Sequence, residues 1–393
     1  MPHALALAVE MATTALAVAG LGYFLAAMLA ARVFLRERRQ AAAVFAPGVS
    51  ILKSLKGLDP GMIDAFRSHC RQSYAGELEI LFGVSSLDDP AVVAVEQMKR
   101  EFPERAIRLV ECPERLGTNG KVSTLVQLAP HARYEYLLIN DSDITVSPRY
   151  LERVMACFAP AGDAAAANEV GLVTALYRGR AHGTLASRLE ALGIATDFIP
   201  GVLLSKLIES GLHYGLGSTL AVRRAALEKA GGLLPLVDHL ADDYELGERV
   251  ARAGYGVALS AEVVETAVPA YGWRGFVDHQ LRWSRTVRDA RPAGYAGLIF
   301  THGLGWALLN VVASGLSLVS LWLLALSFFL RLAMAMTVGA AVLGDRQVLA
   351  TLWLLPLRDL VAMGLWVAGF AGHTILWRGE RFVLKDGRLL KAG

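Results

Sequence analysis

Residues 4–34 form an apolar run broken only by Glu10, by Arg32 near its end and by a few small polar side chains, and further apolar runs fill residues 304–330 and 349–376. A helix needs about 20 apolar residues to cross a bilayer core, so a chain built this way folds around membrane segments, with its soluble part in the middle. The first run is long for the h-region of a signal peptide and has no basic n-region, so a retained anchor over residues 1–35 is expected. Arg36, Arg38 and Arg39 follow at once. By the positive-inside rule they put that end, and the domain after it, in the cytosol. A content of 54% hydrophobic residues over 393 positions agrees with this division.

Residues 299–377 are expected to form transmembrane or interfacial helices. The run 304–330 can span with tilt; Arg331 then interrupts it, and residues 332–343 are too short to span alone. The run 349–376 carries Pro356, Arg358 and Asp359. Charges are costly in lipid unless paired or interfacial, so Arg358 and Asp359 are expected to pair with each other or to meet a lipid head group. Residues 378–393 hold Arg378, Arg381, Lys385, Arg388 and Lys391 and read as a basic cytosolic tail. A cytosolic domain and a cytosolic tail require an even number of crossings between them: two, or three with one re-entrant piece.

The net charge is only +3, and the basic residues gather at the ends of apolar runs rather than in a stripe, which argues against a nucleic-acid partner. Cys70, Cys112 and Cys157 are the only cysteines and form no CxxC pair. They support neither a disulfide framework nor a zinc site and fit a reducing compartment.

In the central stretch, residues 45–298, short apolar runs at 49–52, 78–84, 107–110 and 136–139 read as strands, with helical patterns at 61–71 and 91–101 between them. This βαβα order predicts an α/β fold with a mostly parallel sheet covered on both faces. Ligands of such sheets sit beyond the C-terminal ends of the strands. The strands end at Lys53 and Lys56, at residues 85–89, at residues 117–121, and at Asp141-Ser-Asp143. Two carboxylates so spaced can hold one Mg²⁺ or Mn²⁺ shared with substrate phosphates, although a solvated acidic turn is the plainer reading of so short a pattern. A nucleotide sugar meeting these loops would find Lys53, Asp89 for its base or ribose, and Lys121 for a phosphate. Residues 171–176 and 217–222 read as further strands. Residues 185–212 are apolar with scattered polar positions, suited to a membrane surface, an acceptor pocket or a core helix.

Asp242 and Asp243 enter a helical pattern, where an acid caps well, but two adjacent acids need not both cap. Asp243 can serve as a general base. His279 and Arg282 share one face of a later helix and Trp283 lies about 100° from Arg282. Arg282 suits a departing diphosphate and Trp283 an acceptor wall; a basic juxtamembrane helix is the plainer alternative.

Together, Leu52-Lys-Ser-Leu-Lys-Gly-Leu-Asp-Pro60, Asp88-Asp-Pro90, Asn140-Asp-Ser-Asp143, Leu176-Tyr-Arg-Gly-Arg180, Ala241-Asp-Asp-Tyr244 and His279-Gln-Leu-Arg-Trp283 resemble the D, D, D, (Q/R)xxRW signature of inverting GT-A glycosyltransferases. The match is to the ceramide glucosyltransferase family and its bacterial relatives, including hopanoid-biosynthesis glycosyltransferases, over residues 49–295. The resemblance implies a GT-A, Rossmann-like nucleotide-diphospho-sugar transferase domain between N-terminal and C-terminal transmembrane helices. It implies that Asp89 contacts the UDP base or ribose and that Asp141 and Asp143 hold a divalent metal, Mg²⁺ or Mn²⁺, and the diphosphate. Asp243 would be the base, and Arg282 with Trp283 would bind diphosphate and acceptor; Lys53, Lys121, Asp242 and His279 complete the expected nucleotide-sugar set. His279 departs from the usual Gln or Arg, and Asp197 falls near a position where relatives carry an acceptor-side histidine. The implied enzyme is an integral, multi-pass protein of a bacterial inner membrane. It moves glucose or N-acetylglucosamine from a UDP-sugar to a lipid hydroxyl. Other readings are a hopanoid-polyol glycosyltransferase, a processive polysaccharide synthase and an inactive membrane scaffold.

Overall fold

The computed structural model describes residues 2–39, 44–160, 169–377 and 380–391. After a first helix, α1 (Pro2–Glu37), the chain builds β1 (Val49–Ser54), α2 (Met62–Cys70), β2 (Leu78–Val84), α3 (Ala91–Glu101), β3 (Ala106–Glu111), α4 (Gly120–Leu128), β4 (Tyr136–Ile139) and α5 (Tyr150–Met155). Period-two alternation divides the strand side chains between two cores. Leu52, Leu81, Leu137 and Ile139 meet Val122, Leu125 and Leu128 of α4 on one face. Ile51, Ile80, Phe82 and Leu138 meet Phe66 of α2, Val95 and Met98 of α3 and Val154 of α5 on the other.

The chain continues through β5 (Val170–Ala181), α6 (Leu185–Gly193), a π-turn at Ile194–Phe198, α7 (Ile199–Ile208), β6 (Leu220–Arg223), α8 (Arg224–Lys229), α9 (Asp242–Arg252) and β7 (Gly256–Val268). The seven strands lie in the order β3-β2-β1-β4-β6-β5-β7, with β6 antiparallel to both β4 and β5 and the other pairings parallel. The strand order reverses between β1 and β4, so their C-terminal ends flank a crevice where such sheets take ligands. Strand β7 had no counterpart in the sequence pattern. Ser260, Glu262 and Glu265 break its apolar alternation, and Glu262 and Glu265 are neutralised by Arg153 and Arg178 from distant elements.

The last third holds α10 (Trp273–Ala290), α11 (Pro292–Gly297), α12 (Gly303–Ala313), α13 (Leu318–Ala335, prolonged as a π-turn to Val342), α14 (Arg346–Thr351) and α15 (Leu355–Gly369). Four helices are long and apolar enough to cross a membrane, Ala4–Glu37, Leu185–Ile208, Leu318–Val342 and Arg346–Gly369, and a bent pair covers Pro292–Ala313. The run 304–330 is therefore not one span. It folds as a hairpin because Gly315 and Leu316 take positive φ and Ser317 caps α13 through the Ser320 amide.

Arg331 does not interrupt the next segment either; it lies buried inside α13. Its guanidinium binds Asp359 at 2.6 Å and Asp197 at 2.5 Å, and Arg358 binds Asp197 at 2.7 Å. Arg358 and Asp359 thus do not pair with each other: consecutive residues on a helix point about 100° apart, and each finds its partner on a different element. Helix α12 runs beside α1, with Gly20 against Gly303 so closely that no side chain fits at either, and Asn310 donates to Thr13 and Thr14 at 3.1 and 2.7 Å.

The basic end is not a simple tail. Strands β8 (Thr374–Trp377), β9 (Glu380–Lys385) and β10 (Arg388–Lys391) form an antiparallel sheet around Ile375, Phe382, Leu384 and Leu389. Four- to six-residue strands rich in charge leave little pattern to read. Arg378, counted in that tail, falls outside the described residues.

Candidate active site

The buried apolar strand β4 delivers Asp141 and Asp143 to the crevice. Helix α4, capped by the Asn119 side chain on the Val122 amide, delivers Lys121 beside them. The Lys121 ammonium lies 2.8 Å from Asp141 and 3.2 Å from Asp242. Burial opposes that charge, but Asp141 and Asp242 outweigh it and hold the lysine above its usual range. The two acidic motifs, about a hundred residues apart, thus meet around one cation. Among the described residues no group of three or more His, Cys, Asp or Glu closes on one point. A hard cation here would take two carboxylates and complete its shell from substrate oxygens, as Mg²⁺ commonly does. Asp141 and Asp143 fit that role by donor type, and the ammonium already seated against Asp141 shows that the position favours positive charge.

Asp143 accepts from the Thr266 hydroxyl at 2.6 Å and the Ala267 amide at 3.1 Å, so β7 fixes its direction. Burial and the neighbouring Asp141 raise its carboxyl above the usual range. Asp242 and Asp243 open α9 but point apart. Asp242 turns to Lys121, whereas Asp243 accepts from the Gly217 amide at 2.7 Å and from the Tyr244 amide at 2.8 Å. Burial first, and then the charge of Asp242, push the Asp243 carboxyl up to about 6. That value suits a group that must take a proton near neutrality.

Two expected nucleotide contacts are placed differently. Lys53 lies under the Asp141 loop, fully buried, and donates to the Asp141 carbonyl at 3.0 Å; burial lowers it to about 7. Lys56, three residues on and past the end of β1, lines the cleft instead. Asp89 spends its carboxylate on the Gly57 and Ala91 amides, each at 2.9 Å, so it holds the β1 loop against the start of α3.

Helix α10 brings His279, Arg282 and Trp283 along one side. His279 bonds Glu190 at 3.0 Å through Nδ1, and its ring lies 5.0 Å from that of Trp283. An aromatic ladder links this helix to the acids: Trp283 to Phe198 at 6.4 Å, and Phe198 to Tyr177 on β5 at 5.6 Å. The buried Tyr177 hydroxyl is raised by desolvation and by the field of Asp243. Glu190 also accepts from Tyr271 at 2.5 Å and Gln280 at 3.1 Å. Sequence reasoning passed over Glu190 and Phe198, and it included Tyr177 in the motif at residues 176–180 without giving it a role. The one available signal was an acid standing alone among the apolar residues that follow Leu185.

A cleft of about 280 Å³ runs along the ends of β1, β2 and β3 and the first turn of α4 to Lys121. A family model described as Glycosyl transferase family 21 matches residues 12–390. Ceramide glucosyltransferase 3 of Caenorhabditis elegans is 24% identical over 369 residues, covering 87% of this chain and 73% of the relative. The ceramide glucosyltransferase of Komagataella phaffii is 32% identical over 110 residues, which is 27% of this chain and 21% of that one. Among solved structures, a mannosyltransferase from Pyrobaculum calidifontis in complex with GDP-Man and Mn²⁺ matches with a TM-score of 0.53 at 20% identity, covering 92% of this chain and 99% of its own. At that identity the likeness bears on the fold, which is the GT-A fold.

Proposed function

Since the chain belongs to glycosyl transferase family 21, we propose that this sugar-nucleotide-dependent transferase moves a hexose, glucose or N-acetylglucosamine, from a UDP-sugar to the hydroxyl of a membrane lipid. Ceramide is the favoured acceptor, in keeping with relatives named for it. The observation that carries the reading is the meeting of Asp141 and Asp242 around Lys121, with Asp243 turned to the other side. One group of charges then handles the diphosphate, and a separate carboxylate faces the acceptor.

Asp243, with its raised pKa, takes the proton of the attacking hydroxyl. Attack from the side opposite the diphosphate inverts the anomeric carbon. Arg282 neutralises the departing diphosphate, Lys121 shifts from Asp141 towards a phosphate, and Trp283 with Phe198 and Tyr177 shields the acceptor from water. A divalent cation, held by Asp141 and Asp143, supplies charge neutralisation at the leaving group when bound.

Segment Leu185–Ile208 does not cross the bilayer in this reading, because β5 and β6 at its two ends are hydrogen-bonded neighbours in one sheet. Arg346–Gly369 does not cross either. Gln347 at its start accepts from the Ala181 amide at 3.1 Å, and Gly369 at its end accepts from Arg288 at 2.6 Å. Crossing is left to α1, to α13 and to the bent pair Pro292–Ala313 that leads into it, which puts the site and β8–β10 on the same, cytosolic side as Arg36 and Arg38. Large apolar side chains at the hairpin, among them Leu318, Val319 and Trp322, are about 70% exposed and suit lipid.

The test is UDP release by the purified chain in detergent with Mg²⁺ or Mn²⁺. It crosses UDP-glucose and UDP-N-acetylglucosamine with ceramide and a hopanoid polyol. Acceptor-dependent release is expected, reduced at least about a hundredfold in Asp243→Asn. Undiminished turnover in that variant would remove Asp243 from the chemistry.

A further inference from the structure

The three C-terminal strands lie against the catalytic domain at its most consequential places. The Leu389 amide donates to the Asp238 carbonyl at 2.7 Å, and the Leu240 amide donates to the Gly387 carbonyl at 3.2 Å. Asp238 itself accepts from the Thr118 amide and hydroxyl, both at 2.9 Å, at the approach to α4. The sheet is thereby tied to the loop that carries Asp242 and Asp243 and to the turn that carries Lys121. On its other side, Arg285 of α10 donates to the Thr374 carbonyl at 2.5 Å, and Asp289 of the same helix accepts from the Gly387 amide. Five residues before Arg285, Gln280 of the same helix joins the Glu190 network.

One face of this sheet lines the cleft. Trp377, Glu380 and Phe382 line the 280 Å³ space together with Lys56, Ser85 and Lys121, so the C-terminal sheet and the ends of the parallel strands share it. Phe382 is core to the small sheet and 2% exposed, whereas Trp377 packs on it at 6.3 Å with its ring only partly covered. A partly open indole and a lysine held among carboxylates, lining one cleft, match a nucleobase and a diphosphate respectively.

We propose that the β8–β10 sheet is the outer wall of the donor pocket, with the Trp377 indole as the surface on which the nucleobase of a nucleoside diphosphate stacks. This rests on the reading of the chain as a nucleotide-sugar transferase. The wall holds the base while Lys121 and Arg282 deal with the phosphates. Its ties to residues 238–240 and to α10 keep the base at a fixed distance from Asp243 and Arg282.

The experiment is calorimetric titration of the full chain in detergent with UDP and, separately, with inorganic diphosphate, for wild type, Trp377→Ala and Trp377→Phe. Trp377→Ala is expected to weaken UDP about tenfold or more, the usual effect of losing a stacked aromatic, while diphosphate binding is unchanged and Trp377→Phe keeps most of the affinity. A second measurement does not depend on a variant folding: photolabelling of wild type with 5-azido-UDP is expected to mark the peptide containing Trp377. Equal UDP affinity in wild type and Trp377→Ala, or label confined to residues 54–89, would overturn the inference and leave the transferase reading standing. Absence of UDP binding by wild type would overturn both.

Discussion

Asp243 shows how one side chain can be tuned by its immediate surroundings. Its carboxyl sits at about 6 because burial disfavours the charge and Asp242 stands beside it. A base must be unprotonated, so kcat/KM, which reports the free enzyme, is expected to rise as pH climbs through about 6 and then level off. Asp242→Asn removes a like charge and is expected to move that midpoint down; a pH profile with the same midpoint in both proteins would contradict this. The sign for stability is opposite. The folded state holds this proton more tightly than the unfolded chain, so Asp243 contributes most in acid and loses that contribution as pH rises through about 6. Asp141, Asp143 and Asp243 stood out in the sequence only through the ordered set of motifs, because an acidic turn after a strand and an acid at a helix start each have a plainer structural reading taken singly. Lys53 was misread for a physical reason. Strand alternation decides whether a side chain faces a cleft or the underside of a loop, and a lysine at the edge of a core can do either.

Among the elements, the short parallel strands could be read because burial on both faces makes them runs of Val, Ile and Leu. Strand β7 could not, since its charges are cancelled by partners remote in sequence, and the C-terminal strands could not because they are short and largely exposed. The same applies to the joint between α13, α15 and the π-turn Ile194–Phe198, where Arg331 and Arg358 share Asp197. Arg358 continues through Gln280 at 3.1 Å to the helix bearing His279 and Arg282, so the joint connects apolar helices to the active site. Removing the shared acid leaves two buried guanidiniums each short of a partner. Asp197→Ala is expected to cost about 3–5 kcal/mol, and Asp197→Asn less because an acceptor oxygen remains. Thermal unfolding in detergent measures both; a melting curve for Asp197→Ala that overlays wild type would mean the joint holds nothing together.

At the scale of the whole molecule, membrane topology follows from where the ends of each apolar helix are tied. With single cysteines in a cysteine-free background, an impermeant maleimide added to intact cells is expected to label position 316, in the α12–α13 turn. Position 390, in β10, should be labelled only after lysis. Labelling of both from one side would refute the two-crossing hairpin. Hydropathy indicated that the chain enters the bilayer but not which segments return, because that depends on hydrogen bonds such as Gln347 to Ala181. The buried charges also impose an order of assembly during synthesis. Asp197 leaves the ribosome 134 residues before Arg331, so one partner is already folded into the catalytic domain when α13 emerges. Asp359 arrives 28 residues later, and until then Arg331 is a poorly matched charge in a nascent segment. A chain ending at residue 350 and released from the ribosome is therefore expected to hold α13 loosely, open to protease, whereas the full chain protects it. With α1 already anchoring the chain, the last helix would then decide how firmly α13 settles beside it.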